Sequence, residues 1–397
     1  MRQVEVAVIG AGPAGLAAAA QASRRGAQVV LIDEQPAAGG QLRWTLATQA
    51  GPPDAIDGLP GFQAAIVLAD QLPDTVELLT GTVAWGLFDD RVIATAGVAG
   101  ANQFRAERII LATGSTDIVW PFPGWTLPGV MTARAARICM HLHRVRPGER
   151  ALIIGDDAQL ADDLRMSGIE VVARAVSPER LVAGGNRLLE WVELGGERHA
   201  VDLALFALGA QPDPELVLHL RCELAYVPAD GCHVPLRSET LETSVPGVYV
   251  VGDAGGIGTT ARAIVEGQLA AEAAVDGTGV VELQARLTAL RTERQAAPVW
   301  DASALPDDLV VDREEQITAG EIRQAISEGA LTINDVKRRT RAGMGVSQGI
   351  FSSRTIASML HTQTGIPLEE LAPMTARPPA RLVSLEQMAA LFVEPLA

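Results

Sequence analysis

Lysine is almost missing from this chain: the 32 basic residues are arginines except for Lys337. Any chemistry that depends on a lysine amine therefore has one candidate. Cysteine is nearly as scarce. Cys139, Cys222 and Cys232 form no CxxC pair and no even set, which excludes a redox disulfide of neighbouring thiols and a disulfide framework. A reduced, cytoplasmic protein is the expectation. Aromatic residues make up 4% of the chain, so no aromatic-lined pocket is legible. Positive charge is in deficit as well, and a formal charge of -16 argues against nucleic acid and anionic membrane surfaces as partners. No apolar run reaches the length of a membrane span. The chain opens in a strand-like run, so no signal peptide is expected, and the twin arginine Arg24-Arg25 falls inside the first predicted helix. What remains is an ordinary globular composition, 48% hydrophobic and 20% charged, in 397 residues: enough for two or three domains and a large core.

The most informative segment is the first. Residues 4–9 read as an apolar strand, Gly10-Ala-Gly12-Pro13-Ala14-Gly15 follows at once, and 16–25 is an alanine-rich helix ending at Gly26. A second strand, 29–32, closes on Asp33 and Glu34. A lone GxGxxG says little, but strand, turn, helix, strand and acid in this order form a dinucleotide-binding unit. Gly10 permits the tight turn, Gly12 lets the backbone approach a pyrophosphate, and Gly15 lets the helix sit against the strand. The amides at the helix start then face the phosphates. Asp33 suits the ribose hydroxyls, with Glu34 beside it.

That motif does not separate FAD from NAD; three later features do. Residues 36–42 form a loop whose pair Gly39-Gly40, followed by Gln41 and Leu42, can run along a flavin. Residues 109–114 read as a buried strand ending in the turn Ala112-Thr113-Gly114. The segment 243–253 is a turn, a strand and then Gly252-Asp253, with a helix predicted over 255–271 that contains Thr260 and Ala261. An aspartate there can bond a ribityl chain, and it can also cap the helix. The helix start can face the pyrimidine side of an isoalloxazine, where reduced flavin is negative.

A further apolar strand, 151–154, runs into a turn that reads Gly155-Asp156-Asp157-Ala-Gln-Leu160; the superfamily that the chain resembles, named below, implies a second nucleotide-type domain there, around 126–235. Only the first glycine is kept, two carboxylates stand where a pyrophosphate would lie, and a large residue fills the position of the third glycine. No acid follows the next strand, so NAD(P) is not expected there. His141 and His143 form an HxH with no cysteine or carboxylate set nearby, and no metal site is assigned. No catalytic residue is named either. The C-terminal part reads as a charged helix, a proline-bearing linker, and helices at 334–341 and 353–360; Thr318 and Glu321 have the spacing of a capping box.

From residue 4 to about 277 the chain resembles the two-dinucleotide-binding-domain flavoproteins of the glutathione-reductase and thioredoxin-reductase superfamily. Within it, the stretches 33–41, 82–86, 121–132 and 338–345 resemble the larger FAD subunit of multi-subunit amine and imino acid dehydrogenases. Opine oxidases, dye-linked proline and hydroxyproline dehydrogenases and hydrogen cyanide synthase form that branch. The resemblance implies an α/β fold of two Rossmann-like domains plus a small C-terminal helical module. Its divisions are an FAD domain at 1–125 and 236–280, an inserted degenerate domain at 126–235, a helix and linker at 281–308, the module at 309–375 and a tail at 376–397. It implies FAD contacts at Gly10, Gly12, Pro13, Ala14, Gly15, Asp33, Glu34, Gly39, Gly40, Gln41, Leu42, Val83, Ala112, Thr113, Gly114, Gly252, Asp253, Thr260 and Ala261.

The same resemblance implies a hetero-oligomer whose further members are an amino acid oxidase-like FAD partner subunit and a small ferredoxin-like subunit. The helical module of such proteins commonly carries four cysteines around a [2Fe-2S] cluster. Here Asp312 and Glu314 stand for the first pair and Ser347 and Ser352 for the second, so no cluster is expected on this chain. The rival readings are a free-standing NAD(P)H-dependent flavin reductase, which wants an intact second fingerprint, and a scaffold that keeps FAD structurally.

Overall fold

The computed structural model describes residues 1–98, 100–292 and 294–391, which form two compact units. The first takes in Met1–Ser115, Pro212–Ala296 and the chain from Ala376 on; the second takes in Thr116–Gln211 and Ala297–Thr375.

In the first unit the strand β1 (Arg2–Ile9) lies at the centre of a sheet of seven strands among the described residues. Parallel partners flank it. On one side are β2 (Val29–Ile32) and β3 (Glu77–Leu79), on the other the long β6 (Gly100–Leu111). A parallel strand is covered on both faces, and the inner halves of β1 and β2 are accordingly unbroken apolar runs. The antiparallel β4 (Thr82–Phe88) and β5 (Val92–Gly97) extend the sheet past β6, and Val248–Val250 pairs with β6 as well. After β1 the chain moves to one side, to β2, and later returns on the other, at β6. The crevice at the carboxyl ends of β1 and β6 is thus a topological switch point, where open α/β sheets bind ligands.

Helix α1 (Pro13–Arg24) starts with proline at its first position and continues in alanine, the best helix former. Those small side chains let the helix Thr260–Ala274 approach closely: a Cβ on Gly267 would lie 2.1 Å from the Ala14 carbonyl oxygen. Beyond the last sheet strands, the C-terminal segment returns to this unit. Ala380 N donates to Trp85 O at 2.7 Å, and Val383, Met388 and Leu391 pack on Trp85, Ala94 and Ala96.

The second unit has a parallel sheet in the order Glu170–Ala175, Arg150–Gly155, Leu203–Ala207, Val130–Thr132, and a three-stranded antiparallel sheet. Its helical part comprises Ala319–Ser327, Ile333–Thr340 and Ser353–Thr364, and the Thr318–Glu321 capping box is formed in full. One core runs from Trp120, Phe122 and Phe206 through Trp300 to Ile322, Val336 and Leu360, so sheet and helices of this unit share their apolar interior. The boundaries differ from those expected. The chain leaves the first unit after Ser115 and returns at Pro212, not near 125 and 236. The reason is the short helix Glu215–His219, whose Leu216 and Val217 join Val4, Ile9 and Val250 in the first unit's core.

Candidate flavin site

Gly10 is held in a left-handed conformation (φ 102°), and a Cβ there would lie 2.2 Å from the carbonyl oxygen of Ala112. A Cβ on Gly15 would come 1.8 Å from the Gly10 oxygen. Both glycines are therefore required by the protein itself, to bring α1 against the ends of β1 and β6. Gly12 is different. Its φ of -74° suits any residue, and the nearest atom to an added Cβ is Gly40 Cα at 3.9 Å. Nothing in the polypeptide explains the missing side chain, and the cradle it leaves fits a pyrophosphate on the helix start. Pro13 and Ala14 open α1 behind it.

The loop after β2 is fastened over this turn. Gly39 N donates to Ala11 O at 2.8 Å, and Gly40 packs on Gly12 so closely that a Cβ on Gly40 would be 2.8 Å from Gly12 Cα. Gln41 and Leu42 continue it in a 3-10 turn, Gly40–Trp44. Asp33, at the end of β2, is buried and accepts from Ala11 N at 2.5 Å and from Gln35 N at 2.7 Å. Burial pushes its carboxyl above the usual range, against the pull of those two amides. Glu34 is instead engaged by Arg381 of the C-terminal segment, at 3.2 Å. Thr82 N bonds to Asp33 O at 2.9 Å, and the next residue, Val83, pairs with Ala96 in the β4–β5 ladder and packs on the cluster of Trp85, Ala94 and Ala96.

At the far end Asp253 gathers three separate segments. Its Oδ2 accepts from Gln41 Nε2 at 2.9 Å and Ser115 Oγ at 3.1 Å, and its Oδ1 from Gly258 N at 3.2 Å. The following helix is capped by Thr259, not by Asp253, and starts at Thr260, five residues later than expected. Thr260 Oγ1 donates to Gln49 Oε1 at 2.7 Å, and Ala261 is buried against the Gly51 loop. Thr113 Oγ1 bonds to Asp213 O at 3.2 Å, and Gly114 holds a left-handed turn (φ 82°) next to it.

Several supporting residues were not legible. Gln49 and Ser115 belong to no spacing pattern. Glu266 is fully buried within the helix Thr260–Ala274; its carboxylate accepts from Gly252 N at 2.9 Å and pairs with Arg237 at 3.1 Å and Arg262 at 2.8 Å. Arg237 also bonds the carbonyls of Val250 and Gly255. This buried ion cluster fixes the turn that carries Asp253.

The second nucleotide turn repeats the first in backbone only. Gly155 is left-handed (φ 116°), with its missing Cβ 2.2 Å from the Ala207 oxygen, as at Gly10. Leu160 fills the place of the third glycine and is fully buried. The sequence places Asp156 and Asp157 where a pyrophosphate would lie, and the structure adds partners for Asp157. Asp157 caps the helix Ala158–Met166 by accepting from Leu160 N at 2.8 Å, and the Arg137 fork grips it at 2.8 and 3.0 Å while its Nε bonds buried Asp163 at 2.7 Å. The helix start is occupied by the protein's own carboxylate.

In the helical module Asp312, Glu314, Ser347 and Ser352 are joined by hydrogen bonds. Asp312 Oδ1 accepts from the amides of Glu314 and Glu315, and its Oδ2 from Gly343 N at 2.7 Å and Ser352 Oγ at 3.0 Å. Glu314 accepts from Ser347 N at 2.8 Å.

Comparison with known proteins decides the family. Residues 4–156 and 157–267 match the pyridine nucleotide-disulphide oxidoreductase family, and residues 308–391 match the sarcosine oxidase A3 domain. The chain belongs to the pyridine nucleotide-disulphide oxidoreductase family. It is 30% identical to one of the opine oxidase subunits of Rhizobium meliloti (strain 1021), over 98% of each chain. It is 28% identical to the alpha subunit of sarcosine oxidase from the same organism, over 94% of this chain and 41% of that one. Among solved structures, L-proline dehydrogenase from P. horikoshii shares its fold, with a TM-score of 0.88 at 23% identity, covering 97% of this chain and 79% of that one. Thioredoxin reductase from T. acidophilum aligns over 70% of this chain and 99% of that one at a TM-score of 0.52 and 19% identity. Among the described residues no helix is long and apolar enough to cross a membrane.

Proposed function

We propose that this chain is the FAD-holding subunit of a multi-subunit amino or imino acid dehydrogenase or oxidase, acting on secondary amines such as proline, hydroxyproline, sarcosine or opines. The observation that carries the reading is the contrast between its two dinucleotide turns. The first leaves a side-chain-free cradle at Gly12, closed by Gly39, Gly40 and Gln41 and ended by Asp253. The second is filled by Asp157 and Arg137. A bound FAD supplies two-electron redox chemistry; this chain's residues hold and orient it. Asp33 would take the ribose, the start of α1 the diphosphate, and Asp253 and Gln41 the ribityl chain.

With its second turn filled and no pair of neighbouring thiols, the chain offers no nicotinamide or disulfide donor of its own. Its electrons come from an amino acid oxidase-like partner subunit, within a cytoplasmic hetero-oligomer that also has room for a small ferredoxin-like subunit. The hydrogen-bonded knot at Asp312, Glu314, Ser347 and Ser352 supports a module without a [2Fe-2S] cluster, since serine and carboxylate are hard ligands for a soft cluster. The names of the relatives, subunits of opine oxidase, sarcosine oxidase and hydrogen cyanide synthase, point the same way.

The test is co-expression with a candidate partner, followed by dye-linked assays on proline, hydroxyproline, sarcosine and opines. The complex is expected to turn over one of these and the isolated chain none. Turnover by the isolated chain at the rate of the complex would overturn the relay role.

A further inference from the structure

In the first unit Arg43 places a guanidinium nitrogen in the interior with nothing bonded to it. Arg237, Arg262, Arg294 and Arg381 are each paired with carboxylates. Arg43 makes no hydrogen bond or ion pair among the described residues, and its Nη1 is nevertheless buried. A buried guanidinium nitrogen without a partner is unfavourable, because its lost hydration is not replaced. Its charge is felt at Asp33, whose two oxygens accept from Ala11 N and Gln35 N and not from Arg43.

Its position gives the orphan a meaning. Arg43 sits in the 3-10 turn Gly40–Trp44, directly after the glycine pair that closes over the Gly12 cradle. Its Cγ lies against Gly39, 3.0 Å from where a Cβ would be. The stem is therefore fixed beside the loop that covers the start of α1, where exposed amides and the helix dipole already favour an anion. A guanidinium fork complements phosphate oxygens in charge and geometry, and a desolvated one gains most from such a partner.

We propose that Arg43 is a diphosphate ligand of the bound adenine dinucleotide, and that its cationic head is left unpaired within the fold for that purpose. This rests on the FAD reading of the first turn and names a residue outside the glycine and aspartate positions that define it. Arg43 would discriminate adenine nucleotides by their phosphates: FAD and ADP would engage it, and adenosine would not.

The experiment is calorimetric titration of the full-length, flavin-stripped chain with FAD, ADP and adenosine, for wild type, Arg43→Ala and Arg43→Lys. Arg43→Ala is expected to weaken ADP and FAD about 10- to 100-fold, the worth of a charge-assisted bond, and to leave adenosine within about twofold. Arg43→Lys is expected to keep part of the ADP affinity. The flavin-free Arg43→Ala chain should also resist urea at least as well as wild type, because removing an unpaired buried charge breaks no bond. Unchanged ADP affinity, or an equal loss for adenosine, would overturn the role of Arg43 while leaving the FAD site standing. Misfolding of the flavin-free variant would overturn it as well, by showing a structural role. If wild type takes up neither FAD nor ADP, the dinucleotide reading falls, and this proposal with it.

Discussion

Ser352 and Asp312, forty positions apart, meet in the interior of the helical module, where Ser352 Oγ donates to Asp312 Oδ2 at 3.0 Å. Neither residue is more than 5% exposed. The same carboxylate accepts three backbone amides, from Glu314, Glu315 and Gly343. A single side chain thus joins the strand Val310–Asp312, the Gly343 loop and the start of the last long helix. Asp312→Ala would strand those amides in the interior and is expected to cost about 3–5 kcal/mol, measured by urea denaturation of the full chain. Ser352→Ala removes one neutral donor and should cost about 1 kcal/mol. Asp312→Ala at wild-type stability would show that the knot does not hold the module together.

Arg137 has a comparable place in the second nucleotide domain. Removing it leaves Asp163, 1% exposed, with an uncompensated charge, and frees Asp157 at the helix start. Arg137→Ala should therefore destabilise the chain by about 3–5 kcal/mol. In the intact protein the filled turn predicts that NADH and NADPH do not reduce the flavin at a useful rate. Anaerobic mixing of the FAD-loaded chain with each nucleotide checks this, and rapid bleaching would revive the reductase reading.

How much of this was legible follows from how local each signal is. The turn at Gly10 to Gly15 and the acid at Asp33 are fixed by backbone sterics within one βαβ unit, so a linear pattern carries them. The grouping of Asp312 and Glu314 with Ser347 and Ser352 came from the family resemblance alone; no spacing rule makes a serine and an aspartate forty residues apart partners. Asp157 was read as a repelling charge because its counterion, Arg137, precedes it by twenty residues in another element. Glu266 belongs to no sequence pattern, and only the packed structure shows it accepting from the Gly252 amide. Glu34, expected beside Asp33 at a ribose, also meets Arg381 from the far end of the chain, a partner that no local pattern carries.

Gly12 offers a test of ligand against packing. Its backbone angles suit any residue and an added Cβ meets nothing nearer than 3.9 Å. Gly12→Ala should therefore leave the flavin-free chain within about 0.5 kcal/mol of wild type. Gly12→Val, whose branched side chain enters the pyrophosphate path, should yield folded but colourless protein. Absorbance of the purified chain and its uptake of added FAD are the measurements. Strong flavin colour in Gly12→Val would mean that the cradle holds something else.

Two buried groups in the segment Glu215–His219 predict opposite responses to pH. Glu215 is 9% exposed, and burial pushes its carboxyl up to about 7; Asp213 and Glu34 add to this, and Arg381, bonded to it, opposes. His219, one turn on, accepts from Leu87 N at 3.4 Å, and burial pushes its imidazole down to about 4. Between the unfolded carboxyl's pKa of 4.5 and about 7, the folded chain holds a proton at Glu215 that the unfolded chain has released, so this group's stabilisation is lost as pH rises. Between about 4 and 6.5 the unfolded chain holds a proton at His219 that the folded chain refuses, so stability at this group is lost as pH falls. The two effects have opposite sign, and in the shared window their slopes oppose each other. Wild type should therefore show a nearly flat urea midpoint across that window. Glu215→Gln, which keeps a hydrogen-bonding partner for Arg381, should expose the histidine and lose stability as pH falls. His219→Gln should expose the carboxyl and gain stability as pH falls. Parallel pH profiles for the two variants would mean that these groups do not titrate as the buried pair the structure shows.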